Sequence, residues 1–91
     1  MVLYHCCTSY EISTDIARSG FFPRDQVRVT EHLSEEQART PDESHGVVVL
    51  AVPWDFRLNG YPRDSATGEH LVPGHVLNLF ERAVWRCPER C

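Results

Sequence analysis

The chain has 91 residues, of which 42% are hydrophobic and 24% are charged, a composition typical of a globular domain. A chain of this length predicts a single domain over residues 1–91, which buries only about 60 to 65% of the surface that the unfolded chain exposes. The net charge is −4 and all nine basic residues are arginine. This excludes a Schiff-base or P-loop lysine, and the absence of a basic run argues against a nucleic-acid partner.

The N-terminal sequence and the cysteines indicate a compartment. Residues 1–11 lack the basic region and apolar stretch of a signal peptide, and no apolar run approaches the length of a membrane span. We therefore expect a cytoplasmic protein without a membrane partner. The four cysteines, Cys6, Cys7, Cys87 and Cys91, have neither disulfide-framework nor zinc-ligand spacing, so we expect reduced thiols and no metal site.

The first predicted unit is a strand followed by a helix. Val2–Cys6 is a short apolar strand, and Thr8 with Glu11 has the spacing of a capping box that opens a helix. Gly20 ends that helix. The residues that would face the core from it are Ile12, Ile16 and Ala17.

Two further strands are predicted in the middle of the chain. The segment from Gln26 to Leu33 alternates, with Val27, Val29 and Leu33 facing inward, and Ser34 begins a short helical turn. The run 47–52 is apolar throughout, so we expect a central strand that is buried on both faces.

The C-terminal half predicts shorter elements. Trp54–Phe56 forms a turn that packs an aromatic ring onto the core, and a loop rich in glycine and proline continues to residue 68. A strand over 69–72, a helical turn over 73–78 and a strand over 79–86 follow, and residues 87–91 form a frayed tail. The pattern favours a compact α+β fold with a mixed or mostly antiparallel sheet, one main helix and short helical turns.

Three polar residues, His5, Ser34 and Glu69, stand at or beside predicted strand ends, where a strand can present a side chain rigidly to a cleft. They belong to short motifs: Leu3-Tyr4-His5 followed by Thr8-Ser9, then Gly20-Phe21, His32-Leu33-Ser34, and Glu69-His70-Leu71-Val72-Pro73 followed by Val76-Leu77-Asn78. In this order the motifs resemble the small bacterial and phage proteins of the ADP-ribosyltransferase-like fold.

The resemblance implies NAD as a substrate and a role for each of the three residues. His5 would contact a ribose of NAD, and the backbone of the neighbouring Cys6 would hold the nicotinamide amide. Ser34 would help to wall the pocket. Glu69 would stabilise the oxocarbenium-like transition state as nicotinamide leaves. A fixed carboxylate in a water-poor pocket stabilises such a developing positive charge well.

Other residues would complete such a site. Tyr10, Phe22 or Tyr61 would supply an aromatic ring against nicotinamide, and Thr8 with Ser9 would bring backbone N–H groups near a phosphate. The arginines that could clamp a pyrophosphate are Arg24, Arg28 and Arg63. The chain departs from the family in its short length and in the cysteines at positions 6 and 7.

Alternatives remain at each position and for the whole domain. His5 could donate to a backbone carbonyl, Ser34 could be a helix N-cap and Glu69 could be a solvated charge at a sheet edge. The function implied by the resemblance is ADP-ribosyl transfer or a related N-glycosidic cleavage, with a small-molecule ligand and a possible protein acceptor. A small metabolite enzyme that works without NAD, with His5 and Glu69 as an acid–base pair, and a catalytically silent binding or inhibitor module are the rival hypotheses.

Overall fold

The computed structural model describes residues 2–7, 11–33 and 46–85. In chain order its elements are β1 (Val2–Cys6), α1 (Ser13–Ser19), β2 (Gln26–Val29), β3 (Val47–Ala51), a 3₁₀ turn (Leu58–Gly60), β4 (His70–Pro73), α2 (Gly74–Leu77) and β5 (Glu81–Val84). The predicted α+β class is confirmed: the described residues form two small antiparallel sheets with short helices. None of these helices is long and apolar enough to cross a membrane.

The larger sheet has the strand order β1-β3-β5, with both pairs antiparallel. The apolar run from Val47 therefore occupies the predicted central position. Val48 and Leu50 are fully buried, whereas Val49 is half-buried and Ala51 is exposed. The expectation of burial on both faces is met at Val47, which is 4% exposed, but is wrong at Val49 and Ala51.

The smaller sheet pairs β2 with β4, so that Val27 lies opposite Val72. It meets the larger sheet at one bridge, where Tyr4 and Thr30 exchange backbone hydrogen bonds of 2.8 and 2.9 Å. Strand β2 ends at Val29, earlier than the predicted end at residue 33. The predicted turn at Ser34 lies outside the described residues.

Helix α1 begins later than the sequence predicts. Its N-cap is Ile12, in an extended conformation and without a side-chain cap, and Gly20 ends it with a positive φ of 88°. Ser13 is fully buried, whereas Ile12 is 42% exposed. The predicted capping box is therefore not what opens this helix: Thr8 lies outside the described residues, and Glu11 precedes the helix.

The C-terminal elements differ from the prediction at their ends. Pro73 belongs to β4, where it lies opposite Gln26, instead of stopping the strand. Strand β5 covers only Glu81–Val84, and the predicted tail lies outside the described residues. Trp54 is 82% exposed, so the ring that packs inward from its turn is that of Phe56, against Tyr61 and Phe80.

Candidate functional site

A cavity lies where β1 and β2 separate beyond the Tyr4–Thr30 bridge. Its volume is about 1070 Å³, at the upper end of the range for small-molecule pockets. Helix α1 and the segment 20–25 close one side of it, and the residue before β4 closes another. The polar and aromatic side chains of its lining are His5, Cys6, Glu11, Asp15, Ser19, Phe21, Phe22, Asp25, Gln26, Arg28, Glu69 and Asn78.

His5 is buried in this wall, with 4% of its surface exposed. Its Nδ1 lies 2.8 Å from the Arg28 carbonyl oxygen, and its Nε2 lies 3.0 and 3.1 Å from the two carboxylate oxygens of Glu11. A carbonyl only accepts, so Nδ1 carries a proton and donates it. Nε2 and the Glu11 carboxyl then share a second proton. Both ring nitrogens are engaged by protein groups.

The position of His5 explains why the two strands separate. In an antiparallel ladder the residue pair two positions beyond Tyr4 and Thr30 would be Cys6 and Arg28. The Arg28 carbonyl instead accepts from the His5 ring, and Tyr4–Thr30 is the one bridge that joins β1 to β2 among the described residues. The imidazole thus takes the place of a ladder bond and holds the cavity open.

Cys6 presents both its thiol and its backbone to this opening. Backbone groups alternate in direction along a strand, so the Cys6 N–H and C=O point the same way as those of Tyr4, toward β2 and away from β3. The thiol is half-buried. Burial raises its pKa to about 11, with a second contribution from the negative charge of Glu69. Cys6 is therefore a neutral thiol near a carboxylate, which disfavours it as a nucleophile at neutral pH.

Glu69 is held by the turn that precedes it. The Asp64 N–H donates to the Glu69 carbonyl (2.7 Å), the Gly68 N–H donates to the Asp64 carbonyl (2.7 Å), and the Glu69 N–H donates to Thr67 Oγ1 (3.2 Å). The carboxylate is half-buried, and within residues 2–7, 11–33 and 46–85 it has no ion-pair or hydrogen-bond partner. Its backbone is thus fixed while its charge faces the cavity unneutralised.

The aromatic side of the cavity is rigid. The Asn78 side chain accepts from the Phe21 N–H and donates to the Phe21 carbonyl, both at 2.8 Å. A Cβ on Gly74 would lie 2.1 Å from the Phe22 carbonyl oxygen, so that position requires glycine. The Phe22 ring is 79% exposed at the mouth of the cavity. It is an exposed aromatic surface on a backbone that cannot easily move.

The charges of the lining are mostly negative. Four carboxylates line the cavity: Glu11, Asp15, Asp25 and Glu69. Arg28 is the arginine among the lining residues, and it forms an ion pair with Asp64. The described part of the cavity therefore favours a ligand group with positive charge over an unshielded anion. No cluster in the described residues has the three or more ligands that a metal ion needs.

The predicted site residues divide into three groups. His5, Cys6, Phe22, Arg28 and Glu69 line the cavity together. Tyr61 does not line it and stacks on Phe56 instead, with ring centroids 5.9 Å apart. Arg24 and Arg63 are likewise not among the lining residues. The other predicted residues, Thr8, Ser9, Tyr10 and Ser34, lie outside the described residues.

Two residues of the site were missed from the sequence. The sequence pattern places Glu11 in a capping box, yet its carboxylate pairs with His5. The sequence pattern makes Asn78 the end of a helical turn, yet its side chain binds the backbone N–H and C=O of Phe21, 57 residues away in the chain. The Thr8–Glu11 spacing also suits a helix cap, and nothing in the local sequence marks Asn78 as a clamp.

No protein family, curated protein or solved structure matches this chain significantly. The chemistry of the cavity's own residues therefore carries the functional proposal.

Proposed function

We propose that the cavity binds the nicotinamide end of NAD and that the protein catalyses ADP-ribosyl transfer or a related N-glycosidic cleavage. The observation that carries the proposal is the Glu69 carboxylate, which is half-buried, faces the cavity beside Cys6 and is not neutralised by any described residue. Such a group stabilises positive charge that develops on a ligand.

The proposed reaction requires one fixed anion and an acceptor. The bond between the ribose C1′ and the nicotinamide nitrogen breaks, both electrons leave with neutral nicotinamide, and positive charge spreads over C1′ and the ring oxygen. The Glu69 carboxylate stabilises this charge. A nucleophilic atom of the acceptor, or water, then forms a bond to C1′ and releases its proton.

The residues of the cavity suit nicotinamide. A carboxamide offers one N–H donor group and one C=O acceptor, which complement the C=O and N–H that Cys6 directs toward β2. The Phe22 ring at the mouth can stack on the pyridinium, and the lining carboxylates outside the described ion pairs, Asp25 and Glu69, favour its positive charge. The arginine of the described lining, Arg28, is ion-paired with Asp64, so the pyrophosphate meets no unpaired arginine among the described lining residues.

The role of His5 in this proposal differs from the one that the resemblance implies. Its Nε2 can reach a ribose only by giving up Glu11, because both ring nitrogens are engaged. We assign His5 the task of holding Cys6 and Arg28 apart. The acid–base pair of His5 with Glu69 in the rival hypothesis has the same difficulty.

The experiment is nicotinamide release from NAD by the wild-type protein and by Glu69→Gln, with calorimetric binding of NAD to both. Glutamine keeps the shape and removes the charge, so kcat should fall about 100- to 1000-fold while the Kd for NAD stays within a few-fold. Glu81→Gln, which removes an exposed carboxylate from β5, is the matched control. Equal turnover in Glu69→Gln and wild type would exclude Glu69 from the mechanism.

The charge of the lining supports a second candidate, a metabolite enzyme that works without NAD. Asp25 and Glu69 are the lining carboxylates that lie outside the ion pairs of the described residues, and two such charges beside a paired arginine suit a small cationic glycoside that carries no pyrophosphate. Nicotinamide riboside as a second substrate distinguishes the two. Cleavage of the riboside without cleavage or binding of NAD would favour this candidate.

A further inference from the structure

The turn that carries Glu69 is joined to β2 in two ways: β4, which begins at the next residue, pairs His70 with Val29, and a side-chain ion pair links Arg28 to Asp64. Arg28 Nη1 donates to Asp64 Oδ2, and Asp64 Oδ1 accepts from the Ala66 N–H at 2.9 Å. These hydrogen bonds, the Ala66 one above all, hold the pKa of Asp64 below its ordinary value. Since the Asp64 N–H also donates to the Glu69 carbonyl, Asp64 joins β2 to the backbone of Glu69.

Arg28 therefore touches both halves of the candidate site. Its backbone carbonyl accepts from His5 Nδ1, and its guanidinium holds the turn of Glu69 through Asp64. We propose that Arg28 is a positioning residue that, through Asp64, fixes the Glu69 carboxylate relative to Cys6 and His5. The proposal rests on the proposed function for its catalytic consequence, but the geometric consequence can be measured without any substrate.

The Arg28–Asp64 ion pair should contribute little to the stability of the fold. Both side chains are partly exposed, 51% for Arg28 and 23% for Asp64, and pairs of this kind contribute little to folding free energy. Misplacing a catalytic group by about 1 Å, however, can cost about 100-fold in rate. Loss of the pair should thus change the site while the fold remains.

Two substitutions each break the ion pair and keep the neighbouring hydrogen bonds. In Asp64→Asn the side-chain oxygen still accepts from Ala66, but the NH₂ that then faces Arg28 cannot accept from it. In Arg28→Met the backbone carbonyl that binds His5 is kept. The matched control is Arg18→Met, which removes the exposed Arg18–Asp15 pair, at 3.4 Å, with the same change of charge.

The substrate-free readout is the thiol of Cys6, whose pKa the nearby Glu69 charge helps to raise. Alkylation by iodoacetamide from pH 7 to pH 10.5, in a Cys7→Ala, Cys87→Ala and Cys91→Ala background, reports the thiolate fraction. The shift of this pH dependence in Glu69→Gln shows how much the Glu69 charge contributes. Asp64→Asn and Arg28→Met should shift the profile in the same direction, to lower pH, and speed alkylation at pH 8 by about 2- to 10-fold.

The kinetic readout is the division between kcat and KM. Each variant should lower kcat for nicotinamide release by about 10- to 100-fold with KM changed less than about 3-fold. The double variant Arg28→Met with Asp64→Asn should be no worse than either single one, because both break the same pair. The melting temperature should fall by less than about 5 °C in each.

The proposal would be overturned if the pH dependence of Cys6 alkylation shifted in Glu69→Gln but stayed unchanged in both Asp64→Asn and Arg28→Met. Glu69 would then keep its position without the ion pair. Additive losses in the double variant would overturn it as well. If the wild-type protein released no nicotinamide, the proposed function would fail, and the thiol profiles would still decide whether Arg28 positions Glu69.

Discussion

Replacement of His5 is the sharpest test of how the cavity is held open. His5 makes one hydrogen bond to the Arg28 carbonyl and one to the Glu11 carboxylate, and it is 4% exposed. Asparagine places its amide nitrogen near the position of Nδ1, so His5→Asn keeps the bond to Arg28. Glutamine reaches the position of Nε2, so His5→Gln keeps the bond to Glu11. Leucine keeps neither.

The magnitudes follow from the groups left behind. The bond to Glu11 is charge-assisted and is worth about 1.5 to 3 kcal/mol, and an unpaired buried carbonyl costs about 1 to 3 kcal/mol. The edge-to-face contact of the His5 ring with Phe21, with centroids 5.2 Å apart, adds about 0.5 to 1.5 kcal/mol. His5→Leu should thus lose about 3 to 7 kcal/mol, and each of the polar variants about half of that.

A domain of this length has a total stability of about 5 to 14 kcal/mol, so His5→Leu should be partly or wholly unfolded near 37 °C. Urea denaturation followed by circular dichroism measures each free energy of unfolding, and calorimetry gives melting temperatures, which fall about 4 to 8 °C per kcal/mol in a domain of this size. A loss below about 1 kcal/mol in His5→Leu would refute the assignment of His5 as a support of the cavity wall.

Three further predictions concern the walls and the thiols. Gly74→Ala should lower the free energy of unfolding, measured by urea denaturation, by about 3 kcal/mol or more, because its Cβ would lie 2.1 Å from the Phe22 carbonyl oxygen. Gly60→Ala is the control and should be near neutral, since a Cβ there meets nothing within 4 Å. Equal effects of the two substitutions would contradict the close approach at Gly74. Phe22→Ala should raise KM about 3- to 10-fold with unchanged stability, and Leu79→Ala, equally exposed at 79%, should change neither; an unchanged KM would remove Phe22 from the site. The pKa values of Cys6 and Cys7 are raised from 9.0 to about 11 and about 12, so above pH 9 the folded state keeps thiol protons that the unfolded state loses. The urea concentration at the midpoint of unfolding should therefore decrease as the pH is raised from 9 to 11. The same decrease in a Cys6→Ser, Cys7→Ser variant would show that the thiols are not its cause.

The sequence predicts the parts of this fold that depend on local pattern. The apolar run from Val47 marks the central strand, and Val27 and Val29 alternate as a half-buried strand requires. Element ends are less certain because they depend on tertiary contacts. Pro73 continues β4 because it lies opposite Gln26 at a position whose backbone groups point away from β2, as those of Leu71 do, so its missing N–H costs no ladder bond. Ile12 stays 42% exposed at the mouth of the cavity despite its apolar spacing.

The sequence predicts single residues of the candidate site but not the contacts that hold them. His5 and Glu69 attract notice as polar residues beside strand ends, and the structure brings both to one cavity. Their partners come from elsewhere in the chain: Glu11 binds His5 from the segment before α1, and Asp64 fixes Glu69 through Arg28. No periodicity in the sequence encodes which side chain an imidazole or a guanidinium will meet across a fold.

The cavity itself is the consequence of an interrupted ladder. Continued pairing of Cys6 with Arg28 would add two backbone hydrogen bonds, worth about 1 kcal/mol each, and would close the space between β1 and β2. The His5 ring offsets that loss through its own two bonds and leaves the Cys6 N–H and C=O directed into the opening. A wall that forgoes ladder bonds in order to keep backbone groups available is typical of a binding site and not of a structure built for stability alone. His5, for which the sequence predicts a ligand contact, is therefore the residue that keeps β1 and β2 apart at this cavity.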